Sequence, residues 1–121
     1  MRLTILSALM PDLSSSAQQK ILELTNAYMD SFPEKVALLK SCWSRLEDSA
    51  YAENSLAELA SASHKIAGSS GSYNLPEIAD AAKAVEQLSS IKQWTVADDE
   101  SREQDLKERF ETLIILLQKQ R

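Results

Sequence analysis

The chain has 121 residues, 44% of them hydrophobic and 26% charged, with a formal net charge of −5. That length makes one domain and leaves no room for an enzyme with a separate cofactor domain. Two glycines and three prolines are too few for a β-sandwich or barrel, one cysteine and one histidine exclude a disulfide framework or a zinc-finger ligand set, and the acidic balance argues against nucleic acid as a partner.

The first residues read MRLTILSALMPDLS. Arg2 followed by LTILSALM imitates a short signal peptide, but Pro11-Asp12 stands where a small-residue cleavage site would be. Residues 1–14 are therefore expected to form a short N-terminal helical or docking segment, ahead of a bundle over 15–121. The initial Met1 suits a stand-alone chain or an N-terminal piece of a longer one. No apolar run approaches the ~18–20 residues of a membrane span, so no membrane insertion is expected. The single unpaired cysteine fits a reducing, cytoplasmic setting.

From there apolar residues recur at helical spacing. The first segment carries Ile21, Leu24, Tyr28 and Phe32, behind an S-x-x-Q capping box at Ser16 and Gln19. Pro33-Glu34 suits the first turn of a second helix, whether separate from the first or a continuation of it after a break. Its stripe is Val36, Leu39, Trp43 and Leu46, widened by Leu38 and Cys42. EDSAYAEN reads as a loop. A third helix opens with Ser55 and Glu58 as a second capping box and carries Leu56, Leu59, Ser63, Ile66, Ser70 and Tyr73. Asn74-Leu75 breaks it, and Pro76 restarts a fourth along Ile78, Ala81, Val85, Leu88 and Ile91. After WTVADDES, Ser101 and Gln104 cap a fifth segment with Leu106, Phe110, Leu113 and Leu117. Trp43, Tyr73 and Phe110 read as core, and Trp94 as packing or a partner anchor. No alternating strand pattern occurs. The expected fold is all-α: an antiparallel up-down four-helix bundle preceded by the short N-terminal segment.

Most catalytic constellations are missing. There is no phosphate-cradling glycine loop, and a di-metal bundle would need a second histidine. A Cys42–His64 couple conflicts with Cys42 lying on a core-facing stripe, where a small buried hydrophobe is the plainer reading. His64 is different. On a wheel at ~100° per residue it points about 130° away from the stripe centred on Leu59, Ile66 and Ser70. Its face carries Ala57, Ala60, Ser61, Ala67, Gly68 and Gly71, none larger than serine. Both glycines of the chain stand there, although glycine in a helix costs about 0.5–1 kcal/mol relative to alanine. They read as access for another backbone or a bulky anion, as room for close helix packing, or as helix-ending glycines. Lys65, about 100° round the helix, has a long enough stem to bring its ammonium to an anion on the ring. A solvent-facing imidazole is partly neutral at pH 7 and can attack an electrophile; phosphorus suits a nucleophile with a nearby cation and open space.

His64-Lys65-Ile66-Ala67-Gly68-Ser69-Ser70-Gly71-Ser72-Tyr73, followed by Leu75-Pro76-Glu77-Ile78 and Ala82-Lys83-Ala84-Val85-Glu86, resembles the histidine-containing phosphotransfer (HPt) domain. The likeness is close over roughly residues 56–90 and otherwise rests on the number and length of helices. The chain departs from the usual pattern at Ala67, where the family often has lysine, and at Asn74, where it often has glycine. The resemblance implies that His64 accepts a phosphoryl group on Nε2 from the aspartyl phosphate of a response-regulator receiver domain and passes it to another. It implies a carrier rather than an enzyme, with no cofactor of its own and Mg²⁺ supplied by the receiver. Gly68 becomes the clearance position, Lys65 a neighbour of the phosphoryl group, and Ala57, Ala60, Ser61, Ala67 and Gly71 a face for the receiver's helix. The expected partners are receiver domains and a hybrid sensor kinase, met by a monomer. The alternative is a non-catalytic helical adaptor that binds a kinase or receiver without phosphotransfer.

Overall fold

The computed structural model describes residues 14–90 and 99–119. The expected N-terminal helical segment, Ile91, Trp94 and nearly all of the second loop lie outside the described residues. The described residues form five helices: α1 (Ser15–Asp30), α2 (Phe32–Asp48), α3 (Glu53–Ser72), α4 (Pro76–Ser89) and α5 (Asp99–Lys119). Helices α2 to α5 close a ring, each packing on its neighbours in the order α2, α3, α4, α5 and back to α2. This is the expected all-α bundle. The short turns after α2 and α3 force α2, α3 and α4 to run antiparallel to one another in succession. The first two helical segments are separate helices divided by the single residue Ser31.

The stripes of α2, α3 and α5 fill the centre as their spacing predicts, except that Leu38, expected to widen the α2 stripe, is 52% exposed. Phe32, Leu39 and Leu46 from α2, Leu59 and Ile66 from α3, and Leu106, Leu113 and Leu117 from α5 are all buried. Burying a side chain of this size contributes about 1.5–3 kcal/mol. Ser63 and Ser70 are buried with them. Trp43 is only half-buried and stacks on buried Phe110, with ring centroids 4.5 Å apart. Tyr73 is also half-buried and stacks on Tyr28 at 4.6 Å.

Two stripes are rotated from their expected phase. On α4 the buried set is Ile78, Ala82, Val85 and Ser89; Ala81 and Leu88 sit partly exposed at its edge. On α1 the buried residues are Thr25 and Met29, while Leu24 is 46% exposed. Helix α1 lies outside the ring: its backbone runs beside α2, while Tyr28 reaches across to Ser69 and Ser70 of α3 and Met29 joins the core. Its last turn, with Tyr28 and Met29, therefore faces the common core, and Leu24 one turn earlier does not.

The helix starts also differ from the expected capping boxes. Ser14, not Ser16, caps α1 by accepting the Ala17 N–H at 3.1 Å. Helix α3 starts at Glu53, ahead of Ser55, and Ser101 lies inside α5. At the far end of α3, Asn74 adopts a left-handed φ of 59°. The Leu75 N–H reaches the Ser70 carbonyl and the Asn74 N–H the Gly71 carbonyl, a Schellman closure. Leu75 then packs against the core, and Pro76 starts α4. That three-residue turn holds α3 and α4 side by side.

Candidate functional site

His64 stands in the middle of α3 with its side chain 72% exposed. Its ring is nevertheless fixed. Nδ1 lies 2.8 Å from Oε2 of Glu86, a half-buried carboxylate on α4. A neutral imidazole carries one N–H, and a carboxylate accepts, so this contact places the proton on Nδ1. The lone pair is then on Nε2, the atom facing away from the bundle. A carboxylate behind an imidazole sets both its tautomer and its orientation.

Glu86 was not singled out from the sequence as a partner of His64, although a signal existed. The two residues are 22 apart and equidistant from Leu75, in the turn between their helices. In a tight helical hairpin, residues equidistant from the turn come opposite each other. A carboxylate next to buried Val85 and in register with an exposed histidine is the pattern to look for.

Gly68 and Gly71 lie inside α3, and neither has a left-handed φ. They do not end the helix. Nor do they admit a neighbouring helix: a Cβ built on either meets nothing within 4 Å. The space beside the imidazole opens to the outside. Ala57, Ser61, Gly68 and Gly71 are exposed, whereas Ala60 and Ala67 are half-buried, Ala67 against the core. The open strip is narrower than the six small residues of the helical wheel.

Lys65 turns to the opposite flank from Glu86. It lines a groove of about 610 Å³ between α2 and α3, together with Leu38, Cys42, Ala62, Ile66 and residues at either end. Polar clasps close those ends. At one, Arg45 Nε donates to Glu58 Oε2 at 2.9 Å and Arg45 Nη1 to Ser41 Oγ at 2.7 Å. At the other, the Tyr28 hydroxyl lies 2.6 Å from Ser69 Oγ and 2.9 Å from Ser70 Oγ. Cys42 is buried and contacts Arg45, and burial pushes its thiol above the ordinary range. The structure gives His64 the carboxylate of Glu86 as partner and gives Cys42 the guanidinium of Arg45, so the two do not form a couple. Among the described residues, no cluster of three or more His, Cys, Asp or Glu could hold a metal ion.

The arrangement offers an exposed nucleophile held by a carboxylate, with clear space in front of it. The sequence model of the Hpt domain family matches residues 10–118, nearly the whole chain. The chain belongs to the Hpt domain family. No curated protein and no solved structure gives a match. Hpt domains are phosphocarrier modules of phosphorelays rather than catalysts, and they work with receiver domains and kinases. Among the described residues, no helix is long and apolar enough to cross a membrane.

Proposed function

We propose that this Hpt domain carries a phosphoryl group on Nε2 of His64 between the aspartates of receiver domains, one of them in a hybrid sensor kinase. The observation that carries this reading is the 2.8 Å contact from His64 Nδ1 to Glu86, which leaves Nε2 as the outward nucleophile. The Nε2 lone pair attacks the phosphorus of an aspartyl phosphate. The N–P bond forms as the acyl P–O bond breaks, and the receiver's carboxylate leaves. The imidazole then bears positive charge, with its proton still on Nδ1 and Glu86 facing it. No proton has to move, so the reverse transfer to a second aspartate follows the same path. Glu86 is a positioning residue: it touches the imidazole and not the phosphoryl group.

Gly68 and its neighbours Ala57, Ser61 and Gly71 give the receiver room to bring its aspartate in line with Nε2, and such positioning supplies much of the rate. Mg²⁺ comes with the receiver, where phosphoryl chemistry needs it. Lys65 approaches the phosphoryl group from the α2 side. The protein works as a cytoplasmic monomer. A pure adaptor would have no use for an exposed imidazole anchored from behind. The test is radiolabel transfer from a phosphorylated receiver domain. The wild-type chain is expected to become labelled and the His64→Gln variant to remain blank; label on His64→Gln would move the site elsewhere.

A further inference from the structure

The groove between α2 and α3 has the size of a small-molecule site. Its volume of about 610 Å³ falls within the ~300–1,000 Å³ of typical ligand pockets, which combine apolar walls with a few placed polar groups. Leu38, Cys42, Ala62 and Ile66 supply the apolar walls. Leu38 is 52% exposed, and an exposed leucine in such a trough marks a binding surface rather than scattered apolarity.

The charges divide the groove into two unlike ends. At one end Arg45 and Glu58 cancel each other, Nε donating to Oε2 at 2.9 Å. Toward the other stand Lys35 and Lys65, and neither meets a carboxylate among the described residues. Lys35 is held there: its Nζ donates to Ser31 Oγ at 2.8 Å and lies 4.8 Å from the centre of the Tyr28 ring. The chain as a whole carries −5, so two unmatched cations beside an apolar trough run against its overall charge. We infer that the groove binds an amphipathic anion, a carboxylate on a single alkyl chain, with its head between Lys35 and Lys65 and its tail over Ala62 and Cys42 toward the Arg45–Glu58 pair. Lys65 lies seven residues from Glu58, and Lys35 ten from Arg45, roughly 10–15 Å at ~1.5 Å per residue. An extended alkyl chain with ~1.5 Å bonds advances about 1.25 Å per carbon, so about 8–12 carbons fill that length.

Neither His64 nor Glu86 lines the groove, so this site stands or falls apart from the phosphotransfer reading. The test titrates decanoate, decan-1-ol and decyltrimethylammonium into the full chain below their micellar concentrations. Calorimetry gives the affinity, and the methyl resonances of Leu38 and Ile66 give the place. Decanoate is expected to saturate at one per chain and to shift both sets of methyls. Decan-1-ol should bind more weakly and the cation not at all. Lys35→Gln and Lys65→Gln should each weaken decanoate about three- to tenfold, by less as salt rises, and leave decan-1-ol unchanged. Because Lys65 is exposed and has no partner to lose, its variant keeps the test valid if Lys35→Gln disturbs the fold. His64→Gln should bind decanoate as the wild type does. Equal binding of all three chains, binding that leaves the Leu38 and Ile66 methyls unmoved, or no binding of decanoate would overturn the proposal. So would a dimeric chain that Leu38→Glu makes monomeric, since the groove would then belong to a second copy.

Discussion

On its α4 side, helix α3 lies close along its neighbour, with half-buried Ala60 and Ala67 on that side and the imidazole of His64 tied to Glu86. On its α2 side a groove separates it from α2, closed at one end by Arg45 and Glu58 and at the other by Tyr28 of α1, which bonds Ser69 and Ser70. Small side chains let two helices approach, and long ones braced at the ends keep them apart. The closed flank fixes the imidazole; the open flank leaves an apolar groove. Between them runs the glycine strip, where an added Cβ meets nothing within 4 Å among the described residues.

That division predicts the largest effect at Gly68. A Cβ added at Gly68 meets nothing within 4 Å, and Gly68→Gln replaces a poor helix former by a good one. Stability to urea is expected to rise by about 0.5–1 kcal/mol. Transfer from a receiver should nonetheless be abolished, because the new side chain occupies the approach to Nε2. A loss of activity accompanied by a loss of stability would mean that the glycine serves packing, and the open-strip reading would fail.

On the closed flank the expected effect is smaller. Glu86→Ala leaves His64 in place but frees its tautomer and its orientation. Removal of such a supporting carboxylate typically costs 10–100-fold, and the loss is expected in kcat, with KM for the receiver nearly unchanged. Glu86→Gln keeps an oxygen that can accept from Nδ1 and should recover part of the rate. An Ala variant that lost affinity instead of turnover would place Glu86 in docking.

The contrast also explains what could be read from residues alone. The helices, the central stripes and the exposed histidine follow from local spacing, so α2, α3 and α5 came out in the right phase. The capping boxes did not hold because S-x-x-E/Q is a local pattern that tertiary partners can override. Ser55 accepts from Ser49 Oγ at 2.9 Å and Glu58 is taken by Arg45; both belong to the α2–α3 clasp rather than to a helix start. Leu24 is exposed for a related reason: α1 lies outside the ring, and only its last turn, with Tyr28 and Met29, reaches the core. Glu86 and the groove both depend on the register and separation between helices. Glu86 was still within reach, through its symmetry with His64 about Leu75. The groove was not, because no spacing along a single helix records how far away the next one lies.

The two connections sharpen the comparison at its smallest scale. Both α2 and α3 end in a Schellman closure, yet with different residues at the left-handed position. On the α4 side that residue is Asn74, with φ 59°, a residue type that tolerates the conformation. On the α2 side it is Ala50, φ 55°, followed by Tyr51, φ 61°. The Tyr51 N–H reaches the Leu46 carbonyl at 2.9 Å, and the Tyr51 ring stands edge-on to Trp43 with centroids 6.2 Å apart. The bond and the ring contact hold alanine and tyrosine in a backbone conformation that disfavours a Cβ by roughly 1–2 kcal/mol per residue. Ala50→Gly removes one such penalty and gives back part of the gain as unfolded-chain entropy, so urea unfolding should show a net stabilisation of about 1 kcal/mol. Asn74→Gly should gain only a few tenths of that, roughly 0.3 kcal/mol. Equal gains at the two sites would show that the α2–α3 turn is no more strained than the α3–α4 turn, and that the open flank is held by its clasps alone.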